Sequence, residues 1–139
     1  MRKTIIFVVL TMLLSLPTFL FAQDKPISRA ETLRGSITEE REWWDLLHYD
    51  LSIQFFPETK TIKGSNVISF KTIKSEYIMQ IDLQEPLAIT KATHKNKELK
   101  FKRESNAYFI YLEEELPKDI EDSITVYWEG RPTESLRPP

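Results

Sequence analysis

The clearest pattern in the chain is a strict alternation of apolar and polar residues between Leu47 and Phe55. The apolar side of the alternation consists of Leu47, Tyr49, Leu51, Ile53 and Phe55. The polar side consists of His48, Asp50, Ser52 and Gln54. Because successive side chains of a β-strand point to opposite faces, this unbroken alternation predicts a half-buried strand.

Similar runs follow at short, regular spacing along the rest of the chain. A turn at Pro57–Lys60 leads into an alternating run over 61–71, so the first two strands are expected to pair as a hairpin. Further runs predict strands over 77–83, 87–93, 99–102, 108–112 and 124–128. About seven short strands at such spacing are typical of an antiparallel β-sandwich or barrel, and no helix longer than one turn is required. The predicted fold class is all-β.

The segments on either side of these strands have a different character. Residues 23–42 show little periodicity and predict an extended leader that lies on the domain or is partly disordered. Ser36–Glu39 has the spacing of a capping box, which predicts a single helical turn over Glu39–Trp44. The β-sandwich domain is expected over residues 43–139. The prolines after Gly130 cannot donate to a strand ladder, and we expect a domain that is incomplete at its C-terminus.

The N-terminus has the layout of a secretory signal peptide. A basic start with Arg2 and Lys3 precedes an apolar stretch over 5–21, and Ala22 stands before the polar run that begins at Gln23. A spanning helix needs roughly 20 apolar residues, and this stretch is shorter and contains Pro17. We therefore expect residues 1–22 to be removed, with no stable membrane insertion afterwards, and the protein to be periplasmic or secreted.

Charge and cysteine content exclude several classes of partner and chemistry. The formal net charge is −2, and removal of residues 1–22 would take away two basic residues and no acidic one, which leaves −4. Basic and acidic residues are interleaved, which argues against a nucleic-acid groove because such a groove needs a positive stripe. The chain contains no cysteine, so it can hold neither a disulfide nor a Cys-ligated zinc ion.

The polar residues offer little that indicates catalysis. His48 and His94 each lack a second histidine at ligand spacing, so we expect neither to bind metal. His48, Asp50 and a serine have the residue types of a catalytic Ser-His-Asp triad. However, His48 and Asp50 share one strand face, and no G-x-S-x-G elbow is present. We interpret them as a solvated face.

Neither the three acidic clusters nor the glycines indicate a catalytic or binding site. The clusters Glu39-Glu40, Glu113–Glu115 and Glu121-Asp122 fall in segments interpreted as loop, where runs of charge are normally solvated. Three scattered glycines cannot form a phosphate-binding loop. No catalytic, cofactor-binding or metal-ligating residue is therefore assigned.

The aromatic residues leave two interpretations open. Trp43 and Trp44 are adjacent, so in an extended segment they would point in opposite directions and one could be exposed as a sugar-stacking platform. Phe109 and Tyr111 lie on the face opposite Tyr108 and Ile110, which makes that strand apolar on both sides. A strand of this kind is covered twice, either by sandwich core, the interpretation we favour, or by a neighbour not present.

The run WWDLLHYDLSIQFFPETKTIKGS over 43–65 resembles the opening of the aminopeptidase N family of zinc metallopeptidases. In that family an alternating strand bearing a tyrosine precedes a short turn with proline and an acid, and then a strand with Gly-Ser. Segments 81–83, 87–89 and 124–130 resemble later strands of the same N-terminal domain, and Arg34–Ser36 resembles the leader of exported bacterial members. The resemblance covers roughly residues 34–130.

The resemblance implies a function for a larger protein rather than for this chain alone. Family members remove N-terminal residues from peptides, and they place a saddle-shaped β-domain ahead of a thermolysin-like domain. That second domain carries H-E-x-x-H, a further Glu ligand to zinc and a G-x-M-E-N loop, and none of these occurs here. The resemblance thus implies that zinc and catalysis belong to a missing domain, and it assigns no site residue to this chain.

Two functions are compatible with these observations. The first is a non-catalytic N-terminal domain or fragment of an exported zinc aminopeptidase, whose partner is a catalytic metallopeptidase domain on the same or a separate chain. The alternative is a stand-alone exported β-sandwich module that binds a peptide or glycan. The coding sequence after Pro139 would discriminate between them.

Overall fold

The computed structural model describes residues 26–134, which form almost entirely antiparallel β-structure, as the sequence predicts. The predicted signal peptide over 1–22 lies outside the described residues. No helix between residues 26 and 134 has the length and apolar character needed to cross a membrane. The helices are α1 (Arg29–Gly35) and α2 (Glu39–Glu42), and the strands are β1 (Trp44–Phe56), β2 (Thr61–Thr72), β3 (Glu76–Asp82), β4 (Ala88–His94), β5 (Lys97–Glu98), β6 (Lys100–Glu104), β7 (Ala107–Leu116) and β8 (Glu121–Gly130).

The strands form two stacked antiparallel sheets. The larger sheet has the order β1-β2-β8-β4-β5, and the smaller has the order β3-β7-β6. The predicted β1–β2 hairpin is confirmed, with Tyr49 opposite Ile68, and β2 then pairs with the last strand, with Ile68 opposite Ile124. The antiparallel β-sandwich is therefore built from a wide sheet and a narrow one.

The core lies between the two sheets. Its side chains come from β2, β3, β4, β7 and β8, and Phe70, Ile110 and Ile124 are almost completely buried. Burial of such side chains contributes roughly 1.5–3 kcal/mol each, so this layer is the main source of stability in a chain without disulfides.

Strand β7 is covered on both faces, but its outer face is covered by a helix rather than by a second sheet. Tyr108, Ile110 and Leu112 belong to the core between the sheets. Phe109 and Tyr111 lie on the other face, where they pack with Leu33 of α1. The favoured interpretation of Phe109 and Tyr111 as sandwich core is thus wrong, because the N-terminal segment supplies their cover.

The extended leader predicted over 23–42 is also corrected, since residues 29–35 are helical for about two turns. A capping box begins this helix: the side chain of Ser28 accepts from the backbone N–H of Glu31 at 3.3 Å, and the Glu31 carboxylate accepts from the backbone N–H of Ser28 at 2.7 Å. These bonds satisfy orphan N–H groups of the first turn. Burial of Leu33 fixes the helix to the sheet.

The short second helix is confirmed, although its cap differs from the prediction. Helix α2 covers Glu39–Glu42, and its N-cap residue is Thr38, whose side chain makes no capping hydrogen bond. Ser36, which was expected to cap this turn, instead stands at the C-terminal end of α1. The capping-box pattern therefore predicted the right turn through the wrong residues.

Trp43 and Trp44 do not point in opposite directions into solvent. Trp43 follows α2 with helical backbone angles of −90° and −10°, so strand alternation does not apply to it. Both rings meet Phe70 edge-on, at 5.9 and 6.1 Å between centroids. Their indole N–H groups donate to the carbonyls of Ile78 and Glu40. The idea of a sugar-stacking platform is wrong here, because Trp43 is buried and Trp44 is partly buried in the core.

Candidate functional site

The first strand is exposed on both faces, contrary to the half-buried strand that its alternation predicts. The register places Tyr49, Leu51, Ile53 and Phe55 on the face that bears Ile68 and turns toward the smaller sheet. Nevertheless Leu51 is 54% exposed and Phe55 is 70% exposed. The reason is geometric. A sheet of three strands cannot cover a sheet of five strands, and β1 is the edge strand that the smaller sheet does not cover.

A cleft of about 550 Å³ opens between the sheets beneath this strand. We call it the inter-sheet cleft. Its apolar floor is formed by β2 and β8 and its sides by β1 and the β3–β4 region. The lining side chains are Arg41, Trp44, Leu46, Tyr49, Leu51, Asn66, Ile68, Gln80, Ile81, Asp82, Leu83, Leu87, Ile89, Val126 and Trp128. A surface of this composition can take apolar side chains but offers no nucleophile paired with a base.

The polar end of the inter-sheet cleft anchors the N-terminal segment. Arg41 pairs with Asp82 and donates to the carbonyl of Leu33 at 2.9 Å. Gln80 is buried and donates to the same carbonyl at 3.1 Å, while its own amide oxygen accepts from Thr38 at 2.7 Å. These groups satisfy one another, so their role is to position the leader rather than to bind a ligand.

Two polar groups in the cleft are not used in this way. Tyr49 directs its side chain toward the cleft, where partial burial and then the negative charge of Asp82 raise the pKa of its phenol. The amide oxygen of Asn66 is buried, and no donor among residues 26–134 reaches it. A buried acceptor without a partner costs about 1–3 kcal/mol.

A close contact holds β1 against β2 along one side of the cleft. Gly64 lies so near its neighbours that an added Cβ would be 2.1 Å from the backbone oxygen of Ser52 and 2.9 Å from Trp128 Cζ2. Only glycine fits there, because real Cβ atoms do not approach other heavy atoms that closely. Trp128 packs over this gap and forms part of the cleft lining.

The two histidines are kept apart by the topology. His48 lies on β1 and His94 ends β4, with β2 and β8 between them in the sheet. No group of three or more histidine or acidic side chains within the described part of the chain could hold a metal ion. His48 and Asp50 are both exposed, in agreement with a solvated strand face.

Among residues 26–134, one histidine–carboxylate contact occurs that the sequence did not predict. His94 Nε2 lies 2.9 Å from the Asp122 carboxylate, and both side chains are 11% exposed. Burial alone would raise the pKa of Asp122, but hydrogen bonds from His94, the backbone of Ser123 and Lys95 outweigh it and lower that pKa. The pair joins the end of β4 to the start of β8.

The acidic clusters interpreted as loops are instead regular structure. Glu39-Glu40 begin α2, Glu113–Glu115 lie within β7, and Glu121-Asp122 begin β8. Glu113 accepts from Lys97 at 2.7 Å, and this contact raises the pKa of Lys97. For the two clusters that lie in strands, the error arises because strand preference depends on the surroundings of a residue more than on its type.

Solved structures that the chain resembles include zinc metallopeptidases. The M1 zinc metallopeptidase from Deinococcus radiodurans matches with a TM-score of 0.59 and 15% identity over 68% of this chain and 22% of that one. A variant of it bound to a Tyr-Ser-Ala substrate matches over 69% and 22%, with the same TM-score and identity. A two-domain M1 zinc metallopeptidase variant bound to L-tryptophan matches at 16% identity and a TM-score of 0.59, over 71% and 23%.

This similarity shows a shared fold, a β-sandwich like the N-terminal domain of M1 peptidases. The chain spans less than a quarter of the length of these solved structures. No model of a protein family matches the sequence, and no curated protein matches it either.

Proposed function

We propose that this chain is the non-catalytic N-terminal β-domain, or a fragment of it, of an exported zinc aminopeptidase. Its role is structural: it packs on a catalytic metallopeptidase domain, of the same or a separate polypeptide, and supports one side of the substrate cleft. The observation that carries the proposal is the uncovered apolar face of β1 in a fold that M1 zinc metallopeptidases share.

The histidine and acidic side chains of residues 26–134 do not form a group that could hold zinc. Three or four converging ligands are needed for zinc, whereas His48 and His94 lie on separated strands and H-E-x-x-H is absent from the sequence. The donor set does not fit the metal that the fold family implies. In the proposed protein, zinc and the water that it activates belong to the catalytic domain, and this chain contributes packing surface.

The exposed apolar face supports packing against another protein part. Leu46, Tyr49, Leu51, Ile53 and Phe55 lie side by side on one strand and are each at least 40% exposed. Contiguous exposed apolar surface of this kind marks interaction sites in soluble proteins. We further propose export through residues 1–22 to the periplasm or the medium, without stable membrane insertion and without a nucleic-acid partner.

Two measurements test the proposal. The coding sequence beyond Pro139 is expected to encode G-x-M-E-N and H-E-x-x-H. The purified chain is expected to leave an aminoacyl chromogenic substrate intact, with or without added zinc. A genuine stop codon followed by unrelated sequence, or hydrolysis at a rate that follows the purified chain, would overturn the proposal.

The inter-sheet cleft and the open edge of β1 also suit the second candidate, a stand-alone module that binds a peptide or glycan. Its apolar lining, with few polar groups, favours a peptide over a glycan. A stop codon directly after Pro139 together with cooperative, monomeric folding of the exported chain would favour this candidate.

A further inference from the structure

The two sheets have four edge strands among the described residues, and three of them are protected. Strand β5 is only two residues long, and β6 (KFKRE) is charged at every position but one. Strand β3 is covered by α2, and Trp43 donates to the carbonyl of Ile78 at 2.6 Å. Short length, charge and cover are the devices by which proteins prevent unwanted pairing at sheet edges.

Strand β1 is neither short nor covered, and its only charged residues are Asp45 and Asp50. It is 13 residues long, and its sequence WDLLHYDLSIQFF contains no lysine, arginine or proline. All its residues except Trp44 are exposed. Its bulge lies at one end, between Leu46 and His48, so the run from His48 to Phe56 is a regular edge. A long edge with an apolar face and no lysine or proline is a template for another strand.

The charges on the outer face of β1 indicate which residue an added strand should carry. Asp45 stands opposite Lys71 of β2, whereas Asp50 stands opposite the uncharged Val67. Asp50 is exposed. A lysine or arginine on the far side of β1, directly opposite Asp50, would supply the cross-strand cation that β2 does not.

We propose that the free edge of β1 takes one added β-strand whose alternate side chains are apolar toward the inter-sheet cleft, with a basic residue opposite Asp50. This rests on the proposed function, since the metallopeptidase part is the source of the strand. The backbone of β1 supplies the hydrogen bonds, and the side chains at alternate positions supply the selectivity.

A second copy of this chain suits the same edge less well. Two β1 strands that pair antiparallel over their whole length, Trp44 to Phe56, have Asp50 at their centre. That register places Asp50 of each copy directly opposite Asp50 of the other, and like charges in this position are destabilising. The charge pattern of β1 therefore favours a different strand over its own.

The test uses the purified chain and two synthetic octapeptides. The first has valine at every second position with lysine and threonine between, and the second has glutamate in place of each lysine. Hydrogen exchange is followed by mass spectrometry. The lysine peptide is expected to slow exchange of the β1 amides about tenfold near saturation, and to bind about two- to fivefold more tightly than the glutamate peptide.

Variants of the chain identify the charge responsible. D50N is expected to bring the ratio of the two affinities close to one. D45N removes a carboxylate that stands opposite Lys71, and this variant is expected to retain most of the difference between the two affinities. A lysine peptide with proline at its central positions is expected to protect no β1 amide, because proline cannot complete the ladder.

Three results would overturn the proposal: protection that maps to β5 or β6, equal affinity for the two peptides, or β1 amides already protected in a dimer seen by sedimentation. The peptide measurements probe the edge alone, whereas the coding sequence beyond Pro139 probes the source of the strand. Failure of one can therefore be told apart from failure of the other.

Discussion

Strands β7 and β1 have similar apolar content but opposite surroundings. Strand β7 is covered on its inner face by the larger sheet and on its outer face by Leu33 of α1. Strand β1 is equally rich in apolar side chains, yet solvent reaches both of its faces. The difference shows that an apolar strand face predicts burial of that face. The topology determines whether another element among residues 26–134 buries it.

The contrast also separates the sources of stability from the sources of interaction. The buried positions of β7 are held by neighbours within residues 26–134. The cleft-facing positions of β1 contribute little until another segment covers them, because only buried area is removed from water.

Ile110→Ala is expected to lower the free energy of unfolding by about 3–5 kcal/mol, because Ile110 is fully buried and its truncation leaves a cavity in the core. Leu51→Ala on β1 is expected to cost less than about 1 kcal/mol, as is usual for exposed sites. Urea unfolding of both variants measures the difference. Equal losses would mean that β1 is as buried in solution as β7.

Leu33→Ala removes the side chain that covers Phe109 and Tyr111. We expect a loss of about 2–3 kcal/mol, less than for Ile110 because a surface helix can adjust. This should lower Tm by roughly 10 °C or more. Ile37→Ala is the matched control, since Ile37 is exposed and should leave Tm unchanged. Unchanged Tm for both variants would show that α1 is not docked on β7.

Gly64→Ala tests how β1 is held to β2. The new methyl group would meet the backbone oxygen of Ser52, which cannot move without parting the strands, so a loss of about 1–3 kcal/mol is expected. Gly35→Ala is the control because no atom lies within 4 Å of a Cβ there. Guanidinium unfolding midpoints compare the two, and equal midpoints would contradict the contact.

The smallest expected effect concerns pH. The folded pKa of Asp122 is lowered, so its ionised form adds stability above its unfolded pKa of about 3.9. This contribution is lost as the pH falls through the folded pKa. Asp122→Asn should therefore be less stable than the parent at pH 6 and approach it near pH 2 in unfolding titrations. A constant difference across this range would contradict the assignment.

The sequence predicted the strands well because their alternation is local. The hairpin from Trp44 to Thr72 follows from two alternating runs and a proline turn, and the structure reproduces it with one bulge. Helix α1 was missed although Ser28 and Glu31 have capping-box spacing, because only one residue of the helix, Leu33, is buried and so no apolar period exists.

The cover of each face could not be predicted, since it depends on contacts between distant segments. Leu33 reaches Phe109 across more than seventy residues, and His94 meets Asp122 only because β4 and β8 are neighbours in the sheet. Trp43 misled the prediction for a local reason: it adopts helical angles, so the alternation that begins at Trp44 does not extend back to it.

Hydroxyl-radical labelling of two tyrosines tests whether a further segment covers β1, by comparing the chain alone with the chain joined to the proposed metallopeptidase part. Tyr49 faces the inter-sheet cleft and is 49% exposed, while Tyr127 pairs with Ser65 on the opposite face and is 39% exposed. Tyr49 labelling is expected to fall at least about fivefold when the chain is joined to the proposed metallopeptidase part, as burial removes it from water, while Tyr127 labelling is unchanged. Equal labelling of Tyr49 in both polypeptides would contradict the account.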